Sequence, residues 1–173
     1  MKILFISDNS YFCMGVGPSG ISSYHIEARA DFHGITQRYN EYTFFIIAVK
    51  NPRIRSCLIK DARRKKVKCI VMLDDIVKGH HFKLCDIIYA SSNYNLDQIK
   101  QLFVCYAANK QIQFTLREQY VFNLLHLSNN HIADTLRISV KNVSGYRRSI
   151  VNKMMLKNRN GLTMFRKVPE VSR

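Results

Sequence analysis

The chain has 173 residues, enough for one ordinary domain or two small ones, and 47% of them are hydrophobic, which implies a packed core and excludes a disordered chain. The formal net charge is +15, an excess that favours a polyanionic partner: nucleic acid, acidic lipid or an acidic protein. No run of about 18 apolar residues occurs, so no membrane-spanning helix and no membrane partner are expected.

The opening "MKILFISDNS" turns polar without a small-residue cleavage pattern and reads as a strand rather than a signal peptide. Four short apolar runs, 3–6, 43–49, 69–73 and 87–90, are rich in Ile, Val and Phe and predict strands. Their apolarity is continuous rather than alternating, which suits a parallel sheet covered on both faces. Between them the patterning predicts helices at 22–32, 53–66 and 75–84, with a weaker strand at 34–39. A last helix, 95–107, places Leu96, Ile99, Leu102, Phe103 and Tyr106 on one stripe. Strand and helix alternating over residues 1–107 is the signature of a doubly wound α/β domain.

Residues 108–113 form a short polar connector, and from 114 to 173 the periodicity is helical. "TLRE" is a capping box, in which Thr115 and Glu118 satisfy each other's backbone amides. The helix it starts turns Val121, Leu124 and Leu125 inward. A second helix, "NHIADTL", follows the start signal Ser128-Asn129-Asn130, and Ser139 caps a third that runs to about Met155. Three helices of these lengths with tight turns predict a helix-turn-helix domain.

Charge is uneven. Residues 1–110 hold 16 basic and 9 acidic side chains and residues 111–173 hold 11 and 3, so the shorter segment carries +8 against +7. The third helix contributes Lys141, Arg147, Arg148 and Lys153 and no acid. At 100° per residue, Val143, Ile150 and Met154 share one narrow buried sector. Lys141, Ser144, Gly145, Arg148 and Asn152 lie opposite. Asn142, Tyr146, Ser149 and Lys153 form one flank and Arg147 the other. Small residues let such a face approach a DNA major groove, and the Arg148 fork matches guanine O6 and N7. Lys141, Tyr146, Arg147 and Lys153 are placed to reach phosphates. On helix three alone a solvated basic face fits as well as groove binding; the capped helix and short helix before it favour the groove.

"FTLREQYVFNLL…SNNHIADTLRISVKNVSGYRRSIVNKMMLKNRN" resembles the LuxR/FixJ-type DNA-binding domain. Thr115, Arg117, Glu118, Ile132, Ala133, Leu136, Ile138, Ser139, Val143, Ile150 and Lys153 stand at that pattern's offsets across about 113–165. The resemblance implies base contacts from Ser144, Gly145 and Arg148. It implies phosphate contacts from Lys141, Tyr146 and Lys153, to which Arg147 is added by its place on the helix and Asn142 by its capacity to donate. The loop "HLSNN" is two residues shorter than the usual pattern and lacks its glycine. Asn142 replaces a usual Thr and Tyr146 a usual His; both can still donate to phosphate.

In this family an α/β domain before such a module is often a phosphorylation receiver, so a receiver-like fold is implied for 1–107. A receiver holds Mg²⁺ with two acids after its first strand, and here Ser7 precedes Asp8. Its acceptor Asp usually lies four residues before a Pro, where this chain has Ala48 before Pro52. The last strand runs into Ala90-Ser91-Ser92 without the usual Lys. The expectation is a receiver-like domain without phosphoryl chemistry; an unrelated small α/β sensor domain is the competing reading. Auxiliary enterobacterial regulators of this kind work by pairing with a partner.

Other features point weakly elsewhere. "GHHFKLCD" holds His80, His81, Cys85 and Asp86, but adjacent histidines diverge and no CxxC is present, so no metal is expected. Cys13, Cys57, Cys69, Cys85 and Cys105 lack paired spacing; Cys57, Cys69 and Cys105 lie beside aliphatic or aromatic neighbours, which suits reduced thiols in a cytosolic core. "RRKKVK" (63–68) reads as a solvated helix end, and "GVGPSG" (15–20) is a poor phosphate loop. The combined expectation is a cytoplasmic, nucleoid-associated regulator, not an enzyme, with no cofactor and no catalytic residue. Its partners are double-stranded DNA and a second copy or a related LuxR-type protein. The competing function is a module that pairs with another regulator without reading DNA. Leu162, Met164 and Phe165, after Asn160, could serve such pairing or pack on the chain's own core.

Overall fold

The computed structural model describes residues 2–27 and 42–165. Its first half is a parallel sheet with one reversed edge strand. The strands are β1 (Ile3–Ser7), β2 (Ser22–His25), β3 (Phe44–Ala48), β4 (Lys68–Leu73), β5 (His81–Leu84) and β6 (Ile87–Ser91). Their spatial order is β2-β1-β3-β4-β6-β5, and only β5 runs antiparallel to its neighbour. Leaving β5 aside, this is the flavodoxin-like order of a doubly wound domain.

Among the described residues three helices pack on the sheet: α1 (Ser10–Val16), α2 (Pro52–Arg64) and α3 (Leu96–Val104). Strand side chains alternate between two cores. Phe44, Ile46, Ile70, Met72 and Ile88 meet α1 and α3 through Cys13, Ile99, Leu102 and Phe103. Phe45, Ile47, Val71 and Tyr89 face the other way, toward Ile54, Leu58 and Ala62 of α2. The four apolar runs of the sequence are β1, β3, β4 and β6, each buried on both faces as continuous apolarity predicts. The helices expected at 53–66 and 95–107 are α2 and α3. The basic run at 63–68 is the exposed end of α2 passing into β4, where Lys66 takes a left-handed φ of 55°.

Among the described residues, strands stand where parts of two helices are expected. At 22–32, residues 22–25 are the edge strand β2, and the remainder from 28 lies outside the described residues, as does the strand expected at 34–39. β2 is held to β1 by backbone pairing and its side chains are mostly exposed, so no burial pattern marks it. At 75–84 the chain forms a loop and then β5. The hairpin to β6 turns through Cys85 and Asp86, at φ 47° and 58°, a two-residue turn with both centres left-handed. Gly79, at φ 76°, ends any helical course before it. Conversely, α1 was not expected; Asn9 caps it by accepting from the Tyr11 amide at 3.0 Å.

The second half contains α4 (Leu116–Asn123), α5 (Asn129–Leu136) and α6 (Val140–Lys153), then a 3-10 segment, Arg159–Phe165. The sheet and this helical domain pack together. Val77 donates to the Met155 carbonyl at 2.9 Å, and Lys157 to the Asp75 carbonyl at 2.8 Å. Phe165 lies 5.2 Å from the Tyr89 ring and 6.0 Å from that of Phe82. In a doubly wound fold a crossover helix would follow β4 and cover this face of the sheet's far edge. Here β5 replaces that helix, and the 3-10 segment covers the face instead. Of the two roles considered for Leu162, Met164 and Phe165, the structure places them against the chain's own core.

Candidate nucleic-acid interface

The helix-turn-helix is built from local signals that the sequence carries openly. Thr115 and Glu118 form the capping box, with amide contacts of 2.7 and 3.3 Å. Ser128 caps α5 and Ser139 caps α6, each accepting from the amide three residues on. The turn between α5 and α6 passes through Arg137 at φ 52°, and Ile138 donates to the Ala133 carbonyl at 3.0 Å. Val121, Leu125, Ile132, Ala133, Val143, Ile150, Val151 and Met154 fill the space between the three helices.

That packing fixes which side of α6 faces outward. Val143, Ile150 and Met154 are buried, as the helical wheel places them, with Val151 beside them. Lys141, Gly145, Arg148 and Asn152 are exposed and recur every three or four residues along one stripe. The stripe runs about 16 Å along the helix axis, comparable with the ~12 Å width of a major groove. A Cβ added at Gly145 would meet nothing within 4 Å, so the stripe is open at its centre.

The eight residues expected to touch DNA divide into two groups. Lys141, Asn142, Gly145 and Arg148 stand exposed on or beside the stripe, with no side-chain bond among the described residues. Tyr146 is half-buried and packs on the core. Ser144 is half-buried against α5, where the Asn129 amide reaches its hydroxyl at 3.4 Å. Arg147 donates from Nη2 to the Leu127 carbonyl at 2.8 Å and ties α6 to the α4–α5 loop. Lys153 Nζ lies 2.6 Å from Glu118 Oε2 and also reaches the Gln113 carbonyl at 3.3 Å.

Glu118 is therefore more than a helix cap. It is buried, its Oε1 accepts from the Ser149 hydroxyl at 2.6 Å, and its Oε2 accepts from the Thr115 amide. Burial alone would raise its pKa. The bonds from Lys153, Ser149 and Thr115 outweigh that and bring it down to about 2. One carboxylate thus clamps the start of α4 to the end of α6. Sequence reading found the cap but not the clamp, because Lys153 lies 35 residues away and nothing local marks the pair.

At the carboxyl ends of the strands, the place where receivers carry their acids, the side chains are engaged differently. The Ser7 hydroxyl donates to the Ala48 carbonyl at 2.9 Å, and Asp8 Oδ2 accepts the amides of Lys50 and Asn51 at 2.8 and 3.1 Å. Asp74 accepts from the Ser92 hydroxyl. Elsewhere, the ring nitrogens of His81 contact Tyr94 Oη and Asn109 Oδ1 at 2.9 and 3.0 Å. Cys69 is buried as expected, whereas Cys105 is exposed at the end of α3.

Comparison with known proteins agrees with this geometry. Residues 113–166 match the family profile of bacterial regulatory proteins, luxR family (GerE). No curated protein matches the chain. Among solved structures, the chain is similar to the two-component response regulator RcsB in complex with DNA, at 16% identity and a TM-score of 0.50, over 95% of this chain and 96% of that one. It is equally similar to a structure of two RcsB dimers bound to two parallel DNAs, with 16% identity, a TM-score of 0.50 and coverage of 95% and 97%. RcsB from Salmonella enterica serovar Typhimurium bound to the rprA promoter aligns at 12% identity and a TM-score of 0.49, over 95% and 97% of the two chains. The shared fold is a receiver-like α/β domain followed by a luxR-type helix-turn-helix domain.

Proposed function

We propose that this chain, whose C-terminal domain is a luxR-type DNA-binding domain, is a transcription regulator that reads double-stranded DNA with α6 and does so without phosphorylation. The observation that carries the reading is the exposed stripe of Lys141, Gly145, Arg148 and Asn152 on a helix seated by Val143, Ile150 and Met154. Arg148 takes a guanine edge, with Ser144 and Gly145 facing neighbouring bases. Lys141, Asn142 and Tyr146 hold phosphates. Arg147 and Lys153 flank the same groove, and their intramolecular bonds set the helix's seat, so any phosphate contact they make is shared with that task.

Independence from phosphorylation is supported by Ala48 at the acceptor position and by Asp8, whose Oδ2 caps the Lys50 and Asn51 amides. Pairing is supported by reach: one helix-turn-helix reads only a few base pairs, so selective binding needs a second copy or a related LuxR-type protein on an adjacent half-site. The protein would act in the cytoplasm, at the nucleoid. The experiment is binding to a labelled promoter fragment with and without excess nonspecific DNA. Retention of the labelled complex under competition supports the reading. Its complete loss, together with tight binding to another LuxR-type protein, would favour the pairing module that reads no DNA.

A further inference from the structure

We propose that the pocket at the carboxyl ends of the parallel strands is a binding site for an uncharged, ring-bearing small molecule. The pocket encloses about 720 Å³ and is lined by both domains. That volume lies within the range of small-molecule sites, and its place is where ligands enter open α/β sheets. Phe5, Val16, Met72 and Ile99 make its interior apolar, and Thr163 and Met164 of the 3-10 segment close one side.

Two observations favour a ligand here over a phosphoryl group. The groups that would handle phosphate are turned to the backbone: Ser7 to Ala48, and Asp8 to Lys50 and Asn51. Meanwhile α1 presents Tyr11 and Phe12 at the pocket, 80% and 48% exposed, an aromatic surface left in water beside an apolar hollow.

The charged groups at the rim set the ligand's class. Lys50 and Arg55 stand with Asp74 and Asp75, so the signs cancel. Arg55 Nη1 donates to the Val49 carbonyl at 3.0 Å; burial lowers its pKa, and Asp75, Asp8 and Asp74 offset only part of that. The hydrogen-bonding handle is the Ser92–Asp74 pair.

The test uses the full chain and N-phenyl-1-naphthylamine, an uncharged three-ring fluorophore. Saturable binding with one site per chain and a blue-shifted emission is expected. It should weaken at least tenfold in Gly15→Phe and in Thr163→Trp. Gly15 lines the pocket, a Cβ there meets nothing within 4 Å, and Thr163 is exposed at the rim, so both variants should keep the parent melting temperature. 1-Naphthol should displace the probe, and 1-naphthoate at equal concentration should not. Non-saturable binding, unchanged affinity in both folded variants, or better displacement by 1-naphthoate would overturn the proposal.

Discussion

At the scale of single residues, exposed cations proposed to touch DNA differ from cations that hold the domain. Arg148 is exposed and Lys141 begins the same stripe, whereas Lys153 is engaged by a buried carboxylate. Arg148→Ala should cost about 1–3 kcal/mol on a specific site and relax one base position, with little effect on folding. Lys141→Ala should weaken binding to all sequences and lower the salt slope by about one ion. Titrations on specific and random duplexes over a salt series check both. Glu118 makes a different prediction. Its pKa falls from 4.5 to about 2 on folding, so the clamp stabilises the folded state at every pH above 4.5 and loses that contribution as pH falls toward 2. The shift corresponds to roughly 3 kcal/mol. Glu118→Gln should therefore lower the melting temperature at pH 7 and flatten its decline between pH 4.5 and 2, as thermal denaturation across that range would record.

At the scale of elements, the 3-10 segment behaves as part of the α/β domain's covering layer. Phe165 packs edge-on or tilted against Tyr89, Phe82 and Phe122, which belong to β6, β5 and α4. Phe165→Ala should cost about 1–3 kcal/mol and split one cooperative melting transition into two, visible by calorimetry. Elements were legible in the sequence where burial is two-sided or caps are explicit. β1, β3, β4 and β6 announce themselves as apolar runs, and Thr115, Ser128 and Ser139 mark three helix starts within a residue. The misread elements share a cause. β2 is an edge strand stabilised by its backbone, and β5 exists because Cys85 and Asp86 adopt left-handed turns that neither residue type advertises. In the interface the stripe was legible from 100° periodicity, but the partners of Arg147, Ser144 and Lys153 depend on tertiary neighbours, Leu127, Asn129 and Glu118, that no local spacing shows.

At the scale of the whole molecule, a receiver-like sheet carries a luxR-type helix-turn-helix domain, and Asp8 at the strand ends caps the Lys50 and Asn51 amides. Acetyl phosphate with Mg²⁺ should leave the chain unlabelled. An acid-stable, hydroxylamine-labile label on an Asp, seen by intact mass, would contradict this. The stripe of Lys141, Gly145, Arg148 and Asn152 is exposed in the described structure, and on the proposed reading it meets DNA without an activating step. The most direct measurement is selection of bound sequences from a random duplex library by the purified, unphosphorylated full chain, alone and with a related LuxR-type partner, in parallel with Arg148→Ala. The account predicts enrichment of a site with two half-sites, and loss of preference at one guanine per half-site bound by the variant. Absence of any enriched sequence, or the same enriched sequence from both proteins, would contradict it.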